Sequence, residues 1–384
     1  MDFSFTQDQI AIREVVRQFA KERLVPEYQA RERGGTIDKK LTLEIGKMGF
    51  IAPALPENLG GHGLDNVTTG IIIEEIATGD HSVAYIPMLG ALNADILRTH
   101  APPEMAEEWL PRLTRGEVII ALALTEPQSG SDAAHLRMKA RREGDVFILN
   151  GEKTSISFAD QAEMCIVFAR TGEEEAGARG VSAFLVDLNQ PGVTRTRFDD
   201  VGTKIVGRGS LFFEDATVPA NMMLGGEGKG FTQVMRGFDF SRALIGLQCL
   251  GPAQASLAET WPYIAERKAF GSPLARFEGV TFPLAEAETL VGAANLLCYK
   301  TLWLRDQGLP HTTEAAMCKW WAPIVAYEAI QNCLLLHGHA GYSTDFPHQQ
   351  RMRDVLGLQI GDGTAQIMKL IIAREKVGRV AVPY

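Results

Sequence analysis

The chain has 384 residues, of which 46% are hydrophobic and 22% charged, with a formal net charge of −9. That length is more than one hydrophobic core usually organises, so two or three packed units are expected, and the composition is that of a folded rather than a disordered chain. The acidic balance excludes broad nucleic-acid binding, which needs a basic face to neutralise phosphates.

The first predicted element is an amphipathic helix over residues 6–24, where Ile10, Ile12, Val15, Val16, Phe19 and Ala20 recur at helical spacing behind Thr6 as a cap. Further helical patterns cover 41–48, 68–78, 83–99 and 103–113, so residues 1–116 read as an all-helical unit. The pattern then changes to short β-rich runs at 118–124, 136–141, 146–149, 165–169, 181–187, 193–198 and 211–213, with Asn150-Gly151 as a tight turn. Many short strands without intervening helices predict an antiparallel sandwich or barrel over residues 117–224. A glycine cluster, Gly225-Gly226-Glu227-Gly228-Lys229-Gly230, reads as a hinge. Helical periodicity returns over 238–257, 282–305, 313–336 and 366–377, making 225–384 a helix bundle with a kink expected at Pro323.

The five cysteines, Cys165, Cys249, Cys298, Cys318 and Cys333, are scattered and lack a CxxC pair, which predicts reduced thiols and a cytoplasmic protein. The start, Met-Asp-Phe-Ser-Phe-Thr, has no signal-peptide pattern, and no apolar run reaches membrane-spanning length. The expectation is a protein neither exported nor embedded.

One stretch concentrates chemical interest. A helix-like run from Arg353, carrying Leu356 and Ile360, leads into Gly361-Asp362-Gly363-Thr364. Glycines on both sides let backbone and carboxylate approach a ligand closely. Asp362 is therefore a candidate base, although an Asp before a helix is also a common turn or N-cap residue. Other motifs carry less. Gly228-Lys229 is followed by Gly230 rather than Ser or Thr, so a phosphate loop is not indicated. His337 and His339 lack companions at ligand spacing, and no metal is expected. Ser129, Ser131 and Ser241 stand in no recognisable arrangement with His and Asp.

Within the β-unit the segment Ala123-Leu124-Thr125-Glu126-Pro127-Gln128-Ser129-Gly130-Ser131-Asp132 resembles the flavin-binding signature of the acyl-CoA dehydrogenase family. Four more matches follow in order: Leu149-Asn150-Gly151-Glu152-Lys153, Arg267-Lys268-Ala269-Phe270-Gly271, Gly341-Tyr342 with Pro347 and Arg353-Asp354, and Gly363-Thr364. The resemblance spans the whole chain. It implies an N-terminal helical domain, a middle antiparallel β-domain and a C-terminal helix bundle, with FAD as cofactor. It places Thr125 and Ser131 at the flavin ring edge and pyrophosphate, and Ser157 near flavin N5. Arg267 and Phe270 fall where relatives reach the FAD of a neighbouring subunit, and Thr364 and Gln366 also match FAD contacts. By the same resemblance the protein is a homotetramer that passes electrons to electron-transfer flavoprotein. Its reaction is removal of the proton α to a thioester carbonyl and of a hydride from Cβ, giving the 2-enoyl-CoA, with Phe238, Asp239 and Arg242 lining the CoA arm and the base. Arg242 is the expected local counter-charge.

Several departures bear on the substrate. Most relatives have Glu where this chain has Asp362, and the alternative position for that Glu is Ser241 here. Gly361 replaces a bulky residue, usually Tyr, and Ser155 replaces a common Trp beside the flavin. A shorter base with more room implies a cyclic, cyclohexane-carboxyl-like, or branched acyl group. Leu335 and His339 replace Gln and Gly at the adenine-pyrophosphate contact, and Glu278 replaces a Gln. The helix through Tyr85, Met88, Leu89, Leu92, Asn93 and Asp95 is expected near the far end of the acyl pocket, where an inward Asp95 would act on a distal ring carbon. The rival readings are a flavin oxidase of the nitroalkane oxidase type on the same fold, and a flavin-less structural or binding protein.

Overall fold

A computed structural model describes residues 4–381; residues 1–3, part of the start read above for a signal peptide, lie outside the described residues. Helix α1 (Gln7–Phe19) begins at a capping box, in which Thr6 Oγ1 accepts from Gln9 N at 3.2 Å and the Gln9 side chain accepts from Thr6 N at 3.0 Å. The chain continues through a π-turn and a 3-10 turn into α2 (Tyr28–Gly34). Then come α3 (Lys39–Lys47), α4 (Asn66–Gly79), α5 (Tyr85–His100) and α6 (Pro103–Thr114). Asp65 caps α4 by accepting from Thr68 N at 2.6 Å.

The middle unit contains β1 (Ile120–Ala123), β2 (Lys139–Glu143), β3 (Val146–Ile156), β4 (Met164–Arg170), β5 (Val181–Asp187), β6 (Val193–Arg195), β7 (Gly209–Pro219) and β8 (Met223–Leu224). They form one hydrogen-bonded sheet in the order β6-β7-β3-β2-β4-β5-β8. Most pairs are antiparallel, as expected, but β1 lies parallel to β4, with Ile120 opposite Met164. Strand β4 is buried along its whole length, which accounts for its unbroken apolar run.

The expected tight turn at Asn150-Gly151 is not there. Strand β3 runs straight through it, with a register shift against β7 between Leu149 and Gly151. The Asn150 side chain donates to Asp215 Oδ1 (2.9 Å) and accepts from Asp215 N (3.0 Å), so the pair of turn-forming residues makes a bulge instead of a hairpin. The two-residue hairpin loop is Gly144-Asp145, where Gly144 takes φ 61°.

The C-terminal unit is built on α7 (Gly230–Glu266), α8 (Glu278–Asp306), α9 (Thr312–Leu336), α10 (His339–Tyr342), α11 (His348–Leu356) and α12 (Ala365–Val377). Helix α9 runs unbroken through Pro323. Between α7 and α8 a small hairpin, β9 (Lys268–Ala269) with β10 (Ser272–Pro273), turns on Phe270 and Gly271, both with positive φ. Helix α7 is longer at both ends than its sequence pattern because it is wrapped by α4, α5, α8 and α9 and shows little one-sided periodicity. Gly251 permits the α4 crossing: a Cβ there would lie 2.7 Å from the Glu74 carbonyl oxygen.

All three units meet at Arg353-Asp354. Buried Asp354 accepts from Tyr28 Oη (2.7 Å) of the N-terminal unit and from Thr203 N (2.6 Å) of the middle unit. Arg353 donates to Glu32 (2.6 Å) and to the Val201 carbonyl (2.7 Å). Burial pushes the Asp354 carboxyl up to about 7, against the two hydrogen bonds it accepts. Among the described residues no helix is long and apolar enough to cross a membrane, and no cluster of three His, Cys, Asp or Glu side chains is placed to hold a metal.

Candidate active site

The run after Arg353 is not one helix. Helix α11 ends at Leu356, a 3-10 turn covers Gly357–Gln359, and Ile360 is largely exposed, so the Leu356–Ile360 spacing does not mark a packed face. Asp362 follows at φ 54° and Gly363 at φ 100°. For a residue with a Cβ that conformation costs about 1–3 kcal/mol and persists only where its surroundings impose it. The cap of α12 is Thr364, whose side chain accepts from Ile367 N at 3.4 Å. Asp362 is therefore free of the capping role. Neither its carboxylate nor its N–H has a hydrogen-bond partner among the described residues.

Asp362 lies in a cavity of about 1050 Å³ formed where all three units meet. Tyr85, Met88, Leu89 and Leu92 of α5 supply one mainly apolar wall, and Ile367, Met368 and Ile371 of α12 another. Thr125, Ser131, Ser155 and Ser157 lie along the β-unit side, and Phe238, Asp239 and Arg242 come from α7. Gly361, Gly363 and Thr364 flank the acid. The Asp362 side chain is exposed into the cavity, whose walls partly desolvate it. Burial raises its carboxyl from the ordinary range, and Lys319, then Arg242 and Arg208, pull it back down. Filling the cavity with an apolar ligand would strengthen the upward shift.

Arg242 is less available as counter-charge than expected. Its Nη1 donates to Asp239 Oδ1 at 2.7 Å, and Thr312 Oγ1 holds the other Asp239 oxygen at 2.7 Å. Sequence reading missed Lys319, a buried residue of α9 whose Nζ donates to the carbonyls of Leu358 (2.6 Å) and Gly363 (3.2 Å). It also missed Arg208, which lines the cavity while paired with both Asp200 oxygens at 2.8 and 2.9 Å. A lysine inside an otherwise apolar helical run was the available signal for the first; Arg208 offered none.

The β-unit side fits a bound flavin. The hydroxyls of Thr125, Ser131 and Ser157 have no protein partner among the described residues and face the cavity, as donors for a polar ring edge and phosphates would. Ser155, which takes φ 59° near the end of β3, also lines the cavity. Behind them Glu126, almost wholly buried, accepts from Lys153 Nζ (2.7 Å), Arg137 N (2.6 Å), Met138 N (2.9 Å) and Gln128 Nε2 (2.6 Å). Burial alone would raise the Glu126 carboxyl, but Lys153 and the backbone N–H groups outweigh it and lower it. Burial in turn brings Lys153 down to about 8.

Five expected site residues lie elsewhere. Arg267 ends α7 beside the hairpin, Phe270 at its tip is 96% exposed, Leu335 is 62% exposed, and His339 and Gln366 are also exposed. None of them lines this cavity. Asp95 does not face it either: it pairs with Arg305 (2.8 Å) and Arg98 (3.4 Å), which removes the expectation of an acid acting on a distal ring carbon.

A cavity with a free carboxylate on one side, a hydroxyl-lined strand end on another and an apolar wall beside them has room and donors for a flavin beside an apolar substrate. Models of the acyl-CoA dehydrogenase N-terminal, middle and C-terminal domains match residues 6–117, 121–216 and 228–377. The chain belongs to the acyl-CoA dehydrogenase family and uses FAD. It is similar to the short-chain specific acyl-CoA dehydrogenase of Clostridium acetobutylicum, 32% identical over 97% of this chain and 99% of the relative. It is also similar to the 3-(aryl)acrylate reductase of Clostridium sporogenes, 33% identical over 96% and 98%. The solved butyryl-CoA dehydrogenase of Megasphaera elsdenii superposes with a TM-score of 0.95 at 32% identity, covering 98% of this chain and all of that one.

Proposed function

We propose that this chain dehydrogenates an acyl-CoA thioester to the 2-enoyl-CoA with Asp362 as the base. The observation that carries this is the placement of Asp362: its carboxylate and its backbone N–H both lack protein partners among the described residues and both are held at the cavity. The carboxylate takes the α-proton, and the N–H polarises the thioester carbonyl so that the proton becomes acidic enough to leave. Bound FAD supplies the acceptor for the hydride from Cβ. Thr125, Ser131, Ser155, Ser157 and Thr364 hold it, while Phe238, Asp239, Arg242, Gly361 and Gly363 line the thioester and CoA arm.

The exposed set Arg267, Phe270, Leu335, His339 and Gln366 serves the FAD of a second chain in a homotetramer. The exposure of an aromatic at the hairpin tip and of Leu335 supports this, since such side chains gain by being covered. Electrons pass to electron-transfer flavoprotein, and the enzyme works in the cytoplasm.

The acyl group is cyclic or branched. Ser155 and Gly361 both line the cavity with little side-chain volume, which supports a wide substrate. The C. sporogenes relative is named for a ring-bearing substrate, whereas the names of the C. acetobutylicum and M. elsdenii proteins point to small linear ones. Anaerobic titration of the FAD-loaded protein with linear, branched and cyclic thioesters, read by bleaching of the flavin band, decides between them. Bleaching by cyclic or branched thioesters alone is expected. Preference for linear chains would overturn the substrate, and bleaching by none would overturn the reaction.

A further inference from the structure

We propose that Lys319 is a positioning residue for Asp362: its buried ammonium clamps the loop that carries the acid and keeps one uncancelled positive charge beneath it. The proposal rests on the reading of Asp362 as the base.

The clamp is visible in the hydrogen bonds. Lys319 Nζ donates to Leu358 O at 2.6 Å and to Gly363 O at 3.2 Å, carbonyls four residues before and one residue after Asp362. Leu358 is itself only 2% exposed, so one end of the tether is set in the core. Between the two held carbonyls, Asp362 and Gly363 take positive φ. A strained conformation of this kind lasts only where neighbours over-determine it. The same restraint turns both the carboxylate and the N–H of Asp362 away from protein partners.

The charge argument comes from how the neighbouring cations are engaged. Three cationic side chains act on Asp362: Lys319 from α9, Arg242 from α7, and Arg208, the residue just before β7. Arg242 is tied to Asp239 at 2.7 Å and Arg208 to Asp200 at 2.8 Å, so each is half of a neutral pair. Lys319 is 1% exposed and has no carboxylate within 4.0 Å among the described residues. Its own hydrogen bonds go to carbonyls, which leave its full charge in place. Tyr85 of α5 also lies near Asp362, but burial pushes its phenol well up, and burial likewise pushes the Cys249 thiol beside Lys319 up to about 12; both face the pair uncharged. Burial drives the Lys319 ammonium toward losing its proton and Asp362 opposes this, so each charge supports the other.

A clamp needs only a donor, whereas the field needs a cation, and two variants separate these roles. Lys319→Gln keeps an amide donor without the charge; Lys319→Met removes both. In each, the acid limb of the kcat/KM–pH profile is expected to move up by about one pH unit, because the carboxylate without its neighbouring cation keeps its proton to higher pH. Lys319→Met is expected also to lose roughly a hundredfold at the plateau, as a loosened loop misplaces the base. NMR titration of protein carrying carbon-13 at the aspartate carboxyls, with Asp362→Asn to identify the signal, reads the same shift without turnover. An unmoved titration in folded, FAD-loaded Lys319→Gln would overturn the proposal. Normal turnover by Asp362→Asn would instead overturn the reading of the base, so the two failures are distinct.

Discussion

Lys153 in β3 and Lys319 in α9 are both almost wholly out of water, and each has a carboxylate for a neighbour. Around Lys153 the ions touch: Nζ sits 2.7 Å from Glu126, and backbone N–H groups and Gln128 occupy the remaining lone pairs. The acid is made weakly basic, and the pair fixes a loop. Around Lys319 the ammonium goes to carbonyls instead, and the neighbouring Asp362 is left without a partner and with its proton affinity raised. A buried lysine and a carboxylate thus give scaffolding when they meet, and leave the carboxylate without a partner when the ammonium is held by carbonyls instead.

Substitutions on the two sides of this comparison should fail differently. The largest effect is expected for Asp362→Asn, which removes the proposed base while preserving its size: turnover with the best thioester should fall by about 10²–10⁴, with FAD content unchanged. Rapid-mixing kinetics and the flavin spectrum test both halves, and loss of FAD would show that Asp362 is structural after all. Glu126→Ala strands a buried lysine and should cost about 3–5 kcal/mol, read as a lower urea midpoint, with FAD retention falling as the loop loosens. If stability barely changes, Lys153 is escaping to solvent and the Lys153–Glu126 pair does not hold the loop rigidly. The smallest effect belongs to Thr364→Ala: loss of the α12 cap should lower stability by about 1 kcal/mol. A much larger drop in FAD affinity than in stability would show the hydroxyl working mainly for the cofactor.

Much of this was legible in the chain. Thr6 announced the first helix, the switch from helical to strand patterning located the middle unit, and the glycines around Asp362 marked a place where the backbone takes positive φ beside the cavity. What was not legible shares a physical origin. Asn150-Gly151 has the chemistry of a hairpin turn, but pairing with Asp215 across the sheet converted it to a bulge. Leu356 and Ile360 had helical spacing but no partner surface to bury it, and the helix ends at Leu356. Lys319 and Arg208 act through approach in space between segments more than 40 and 150 residues from Asp362 in sequence, which no local pattern records. Asp95 looked available until Arg305, from a helix two units of pattern away, took it.

The meeting of three units on Asp354 has a further meaning for how the protein comes apart. Opening the N-terminal unit away from the rest strips the Tyr28 hydroxyl from a buried carboxyl, and opening the middle unit strips the Thr203 N–H from the same group. Either separation breaks a hydrogen bond to the same buried group, so opening of one unit loosens the seam for the others and melting there is shared among all three units. The loop bearing Asp362 begins only a few residues downstream of that seam. The strained shape of that loop is thereby tied to the cohesion of all three units, and it should be lost on heating together with the seam.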